Sequence, residues 1–383
     1  MTGILILFHN PSNSGFASSR HEIAFTEMAY KLVGNYKNIH FAYTNLDNGR
    51  PPSLPKGIVN IIGFDASTNE EEILKRMQDY VEKNEINICF GFDLAVRKPA
   101  LKYLRAGGIK YVISYIGAPM SSLNSGLKLL IKRLDVALSL HKPDHFIFQS
   151  EGMRETAVQG RGIPKKLTSI VLSGTDIDLY KPTDTKSGYA YDSFNIDRKR
   201  KIIFFSGNMA PRKGVDVIIK TAAELVNKRG IDDVHFLLVG NRWGQEKELI
   251  NLVNNTDAEN HITFGGYRED VPKILKSCYA GMIASNEWDS YPMSAIEMAA
   301  TELPVLVSDI PGLREVVSTR TGFLFPVNDH EAASKIIIKL LRNPELKIEM
   351  GKAARNQVSN YQTVKHQIHG MEKVVRTVAK GHL

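Results

Sequence analysis

Asp289 and Glu297 stand eight positions apart in the stretch A-S-N-E-W-D-S-Y-P-M-S-A-I-E-M-A-A, residues 284–300. The apolar run Gly281 to Ala284 reads as a short strand, a polar turn follows, and Met293 to Ala300 reads as a helix whose one charge is Glu297. A strand end, a turn and a helix N-terminus form the place where an open α/β sheet binds anions, because unpaired helix N–H groups converge there. Ser290, Tyr291, Pro292 and Met293 are placed to present backbone to phosphates, although Pro292 has no N–H to give. With one carboxylate in the turn and one in the helix, the pair could address two ends of one ligand. The spacing equally allows Asp289 as a helix cap and Glu297 as a partly exposed helix residue.

A second loop, G-N-M-A-P-R-K-G from Gly207 to Gly214, sets Arg212 and Lys213 beside two glycines at a strand-to-helix junction. Such a cationic pair can neutralise a diphosphate that the helix dipole already attracts, or can be a basic helix start on the surface. The loop is not a P-loop: Arg212 stands where its second glycine belongs and Gly214 where its Ser or Thr would be. Gly240, Gly265 and Gly266 follow predicted strands and could let a nucleotide base lie against backbone, or be plain turn residues. Gly15, in the loop H-N-P-S-N-S-G after the first strand, is a weak nucleotide-loop signal, since no G-x-G-x-x-G surrounds it.

These loops need a scaffold, and the pattern supplies one. Strand runs at Gly3–Phe8, Ile39–Tyr43, Ile58–Ile62, Ile86–Phe90, Tyr111–Tyr115 and Phe146–Gln149 alternate with helical patterns at 18–32, 70–83, 96–105 and 127–140. After the linker S-G-T-D-I-D-L-Y-K-P and a polar segment to Lys201, the alternation restarts. Strands are expected at Ile202–Ser206, His235–Val239, Ile262–Phe264 and Pro304–Ser308, helices at 215–228, 244–253 and 271–277, and further helices from His330 onward. This predicts two parallel, doubly wound sheets. A chain of 383 residues, 43% hydrophobic, is long enough for two such cores.

The net charge of +8 favours anionic partners such as nucleotides, phosphorylated metabolites or a lipid surface. Nucleic acid is not expected, because there is no zinc-finger spacing, no basic-aromatic RNA motif and no long basic run. Neither a transmembrane helix nor a signal peptide is expected, and Cys89 and Cys278 fit the core of a reduced cytoplasmic protein. The segment Leu123–Leu140 is amphipathic, with Lys128, Lys132 and Arg133 among leucines; it could lie on an anionic membrane, or be a domain helix with a solvated face. His141 and His145 flank Pro143 and suit no metal site, and His366 and His369 read as surface residues.

Taken together, the two loops, the linker, V-G-N after a strand, I-T-F-G-G-Y and T-G-F-L-F-P-V-N-D resemble the carboxyl half of family 4-type retaining glycosyltransferases with the GT-B fold. Asp289 and Glu297 fit that family's two-carboxylate motif, with aspartate where glutamate is usual. The resemblance implies two Rossmann-like domains facing a cleft: 1–175 for the acceptor, 176–362 for the nucleotide-sugar donor, and 363–383 as a terminal helix crossing back to the first domain. It implies that Glu297 bonds the ribose hydroxyls, that Asp289 with Ser290–Met293 meets sugar and diphosphate, and that Lys213 is the family lysine on the diphosphate. The family arginine after the strand is Asn208 here, so Arg212 is the candidate replacement. Gly15 would approach the diphosphate, and Gly240, Gly266 and Tyr267 would line the donor site.

Many members carry a histidine where this chain reads I-S-Y-I-G-A-P-M, so Tyr115 and Gly117, with His9 and His21, become the acceptor-side candidates. The implied reaction moves a sugar, by base rate UDP-linked, to a hydroxyl of a lipid-linked or small glycoside acceptor. The amino half has no D-x-D of the sort that metal-dependent transferases of the other fold use, so no metal and no cofactor beyond the nucleotide sugar is expected, in a protein that is cytoplasmic or peripheral at the inner face of the membrane. Two other readings share the architecture: a nucleotide-sugar epimerase, and a non-catalytic membrane-surface or partner-binding protein.

Overall fold

The computed structural model describes residues 3–183, 187–240, 244, 246–254 and 256–379. It divides into two units, 1–172 with 364–383 and 173–363. Asn241 of the V-G-N run, Gln245 of the helix expected from Gly244, and residues 184–186 and 380–383 of the expected linker and terminal segment lie outside the described residues.

In the first unit the strands are β1 (Gly3–Leu7), β2 (Ile39–Tyr43), β3 (Asn60–Gly63), β4 (Ile86–Phe92), β5 (Tyr111–Ile116), β6 (His145–Phe148) and β7 (Thr168–Ile170). Between them run α1 (Phe16–Val33), α2 (Glu71–Lys83), α3 (Ala100–Ala106), α4 (Gly126–Ala137) and α5 (Glu151–Glu155). All pairings are parallel, in the order β3-β2-β1-β4-β5-β6-β7. The helix α3 starts four residues later than the apolar pattern from Val96 suggests, because Pro99 disfavours helix at the residue before it and serves as the N-cap.

The second unit holds β8 (Lys201–Ser206), β9 (Val234–Val239), β10 (Ile262–Gly266), β11 (Ala280–Ile283), β12 (Val305–Ser308) and β13 (Gly322–Phe325). Its helices are α6 (Tyr189–Phe194), α7 (Val215–Ala223), α8 (Lys247–Asn254), α9 (Val271–Leu275), α10 (Met293–Ala300), α11 (His330–Arg342) and α12 (Pro344–Tyr361). The order is β10-β9-β8-β11-β12-β13, again parallel. The last helix, α13 (Val364–Val378), belongs to the first unit, where Ile368, Met371 and Val375 join the core beside α1.

Period-two alternation explains how each sheet is covered on both faces. In β1, Ile4 and Ile6 enter the core under α1 and α13, while Leu5 and Leu7 enter the one under α2 and α3. Both sheets reverse direction of winding once, between β1 and β4 and between β8 and β11. Beyond the carboxyl ends of those neighbouring strands lies the crevice where such sheets take ligands.

Candidate functional site

In the second unit the switch point joins the loop after β8, residues 207–214, to the loop after β11, residues 284–292. Gly214 makes their contact possible. Its φ is 62°, and a Cβ there would stand 1.9 Å from the carbonyl oxygen of Ala284. The Asn286 N–H donates to the Arg212 carbonyl at 2.9 Å, fastening one loop to the other. From the far side Gly312, at φ 88°, approaches so closely that a Cβ would lie 2.0 Å from the Asp289 carbonyl oxygen.

Within this frame Lys213 Nζ lies 2.6 Å from Asp289 Oδ2, and Ser285 Oγ donates to the same oxygen at 2.9 Å. Asp289 is 4% exposed and does not cap α10; Pro292 occupies the cap position and no side chain caps the helix. Glu297 is likewise 4% exposed, so it is no surface helix residue. Aspartate and glutamate are rarely so buried without a task or a partner.

The neighbouring candidates divide. Ser290 and Met293 are half-buried, and Ser290 N–H donates to Asp289 Oδ1 at 3.1 Å. Tyr291 is buried with its hydroxyl bonded to the Gln362 side-chain amide, so only its backbone can serve a ligand, as with Pro292. The Arg212 guanidinium stacks 3.9 Å from the Trp288 ring centroid and donates to the Trp288 carbonyl at 3.3 Å, a placement that sequence gave no sign of. Asn208 is exposed, its Oδ1 accepting from Ala210 N–H at 3.4 Å. Gly240 and Gly266 meet where the Gly240 N–H donates to the Gly266 carbonyl at 2.8 Å, with Tyr267 half-buried next to them.

The first unit has its own switch point. There His9, after β1, is half exposed, with Nδ1 3.2 Å from the Phe92 carbonyl and 3.8 Å from Asp93 Oδ2. Asp93, after β4, takes a left-handed backbone (φ 54°) and accepts the Gly117 N–H at 2.7 Å. Burial pushes the Asp93 carboxyl above the ordinary range, against the pull of the Gly117 N–H. Sequence reasoning missed Asp93, because only the strand order makes this strand-end carboxylate a switch-point residue. Gly15 opens α1 in this unit.

Two acceptor-side expectations are corrected. His21 is buried among Phe25, Phe92 and Tyr115, and burial followed by the nearby His9 holds its imidazole down to about 4, so it is a neutral core residue. Tyr115 is fully buried and its hydroxyl accepts from the Gln367 side-chain amide at 3.0 Å. Both side chains point into the hydrophobic core because their positions fall on its face of α1 and β5. Among the described residues, three potential metal ligands converge only at Glu224, His330 and Glu331, outside both loops; there Lys228 and Arg229 already hold Glu224 at 3.0 and 2.9 Å.

Residues 191–357, which carry every second-unit element of the site, match the family of group 1 glycosyl transferases. A curated relative from Escherichia coli, UDP-Gal:alpha-D-GlcNAc-diphosphoundecaprenol alpha-1,3-galactosyltransferase, is 22% identical over 63% of this chain and 62% of its own. N-acetyl-alpha-D-glucosaminyl L-malate synthase of Bacillus anthracis is 23% identical over 90% of this chain and 92% of its own. The chain spans 62% and 48% of the lengths of the first two curated relatives it matches. Among solved structures, Anabaena Alr3699/HepE in complex with UDP-glucose superposes with a TM-score of 0.78 at 15% identity, covering 98% of this chain and 99% of that one. The fold is that of GT-B glycosyltransferases, two Rossmann-like parallel-sheet domains.

Proposed function

We propose that the protein is a retaining, metal-independent glycosyltransferase of the family 4 type that takes a sugar from a nucleotide diphosphate sugar, UDP-linked as in the name of the Escherichia coli relative and the Anabaena complex, and gives it to a hydroxyl acceptor. The observation that carries this reading is the meeting of Lys213, Asp289 and the start of α10 at the switch point of the second unit, with buried Glu297 on that same helix. In the reaction the bond from the anomeric carbon to the diphosphate oxygen breaks and its electron pair leaves with the diphosphate. The acceptor oxygen bonds the same face of that carbon, and its proton passes to the departing diphosphate.

Each group has a part in that step. Lys213 and the first-turn N–H groups of α10 neutralise the leaving charge, and fixed charge of this kind is often the largest catalytic contribution. Glu297 accepts from the ribose hydroxyls, and Asp289 with the backbone of Ser290 and Met293 meets the sugar and diphosphate. On the acceptor side His9, held at Nδ1 by the Phe92 carbonyl with the Asp93 carboxylate 3.8 Å away, is a polar group at the first unit's switch point.

The test is thermal stability against UDP, other nucleoside diphosphates and their sugars, in the presence of a chelator. A ligand at ~100 times its Kd stabilises by ~2.7 kcal/mol. One donor is expected to stabilise the wild type and neither Glu297→Gln nor Lys213→Ala, and the anomeric configuration of the product, read by NMR, is expected to match the donor's. No stabilisation by any nucleotide, or inversion at the anomeric carbon, overturns the reading.

A further inference from the structure

Seven of the seventeen large apolar side chains exposed among the described residues lie between 123 and 140. Leu127, Leu130, Ile131, Leu134 and Leu138 follow the i, i+3, i+4, i+7, i+11 spacing that puts them on one side of α4 and its end, and Leu127 and Leu138 are 72% and 73% exposed. From Leu127 to Leu138 this stripe runs roughly 17 Å at the helical rise. Val136 is the helix's one buried residue.

The helix is nevertheless held firmly from behind. Asp135 is bridged by Arg97 and by Arg161, each at 2.5 Å. Gly162 passes so close that a Cβ there would stand 2.7 Å from the Arg133 backbone nitrogen, and Asn124 donates to the Gly160 carbonyl at 2.7 Å. A seated helix that turns its leucines outward presents an interaction surface.

Charge selects the occupant. Lys128 and Arg133 flank the stripe on its two sides, while the helix's one carboxylate, Asp135, is occupied by the two arginines. Leu138 and Leu140 continue the stripe into a cleft of 610 Å³ that Arg97, Lys98, Lys102 and Lys142 line and, among the described residues, no carboxylate does. A second copy packed on this face by a two-fold axis would bring like charges together. An anionic bilayer satisfies both features: leucines enter the acyl boundary, lysine and arginine stems reach back to phosphates, and the cleft takes a headgroup.

We propose that α4 and the basic cleft at its carboxyl end form a docking surface for a bilayer containing anionic phospholipid. The surface is independent of the nucleotide chemistry above, so its test uses no nucleotide. The full chain is sedimented with phosphatidylcholine vesicles with and without phosphatidylglycerol, as wild type, as Leu130→Ser/Leu134→Ser and as Lys98→Glu/Lys102→Glu. Partitioning is expected only with phosphatidylglycerol, weakened by salt, and reduced at least tenfold in each double variant, each cation being worth about fivefold. All substituted side chains lie at the surface or line the open cleft, so unchanged melting checks the fold. Absence of partitioning, or partitioning that the leucine variant leaves intact, overturns the proposal; so does a wild-type dimer that ignores vesicles and that the leucine variant dissociates.

Discussion

The Lys213 ammonium sits 2.6 Å from the Asp289 carboxylate, and both side chains are largely withdrawn from water. Each is thus the other's counter-charge, and a ligand that engages either must compete with that pair. Removing one partner of a buried pair is far more damaging than removing both, because the survivor is left uncompensated. Lys213→Met is therefore expected to lose ~3–5 kcal/mol of stability. Adding Asp289→Asn should restore most of it, yet not nucleotide affinity. Denaturant unfolding of the four-member cycle checks this; a double variant no more stable than Lys213→Met would show that the pair is not what holds these loops.

The loops themselves depend on Gly312 and Gly214. Either Cβ would fall within 2.0 Å of a carbonyl oxygen, and both residues have positive φ, so alanine meets backbone strain and a backbone clash together. Gly312→Ala is expected to destabilise by at least ~1–3 kcal/mol and to weaken UDP more than it weakens folding, since the Asp289 carbonyl must move. Calorimetry of UDP binding alongside urea unfolding separates the two. Unchanged affinity would mean that the position of Asp289 is immaterial to the nucleotide.

How much of this was legible follows from what each signal depends on. Helix α10 starts and ends at the residues its pattern indicates, because Pro292 and the run from Met293 are local signals. The alternation of strands and helices is local too, so both sheets could be read. Asp93 could not: the run F-G-F-D is no motif, and it becomes a site residue only because strand order sets β4 beside β1. His21 and Tyr115 fail for the converse reason, since which side of a strand or helix faces the core is a tertiary fact. Strand β13 lay unread inside T-G-F-L-F-P, four residues with two glycine- and proline-marked ends.

Acid sensitivity should come from buried histidines. Burial lowers His21, His40 and His235 from 6.5 to about 4, with His9 adding to the effect at His21, and Arg200 and then His261 at His235. In the unfolded chain each takes a proton near 6.5, whereas in the fold each resists it until about 4, so stability is full above 6.5 and is lost as pH falls through this window. The slope is at most about 1.4 kcal/mol per pH unit for each histidine. His235→Gln, which can keep a bond to Thr263, should flatten the decline of Tm between pH 6.5 and 4. A parallel profile for that variant would place the acid sensitivity elsewhere.

On the acceptor side, His9 and Asp93 are expected to act as a unit. Asp93→Asn can still accept the Gly117 N–H, so the loop should hold while the charge beside His9 is lost. The pair positions the acceptor hydroxyl while its proton passes to the diphosphate; a misplaced reactant costs ~10²-fold, and members of one unit are not additive. Asp93→Asn and His9→Gln are therefore expected to slow sugar transfer by ~10²-fold each, the double variant no further, with UDP affinity unchanged. Because burial raises the Asp93 carboxyl, the acid limb of the wild-type rate profile should lie above the ordinary carboxylate range and disappear in Asp93→Asn. The profile is read as UDP release with an acceptor, or with water in its place. Equal losses in rate and UDP affinity would assign both residues to holding the fold rather than to the acceptor hydroxyl.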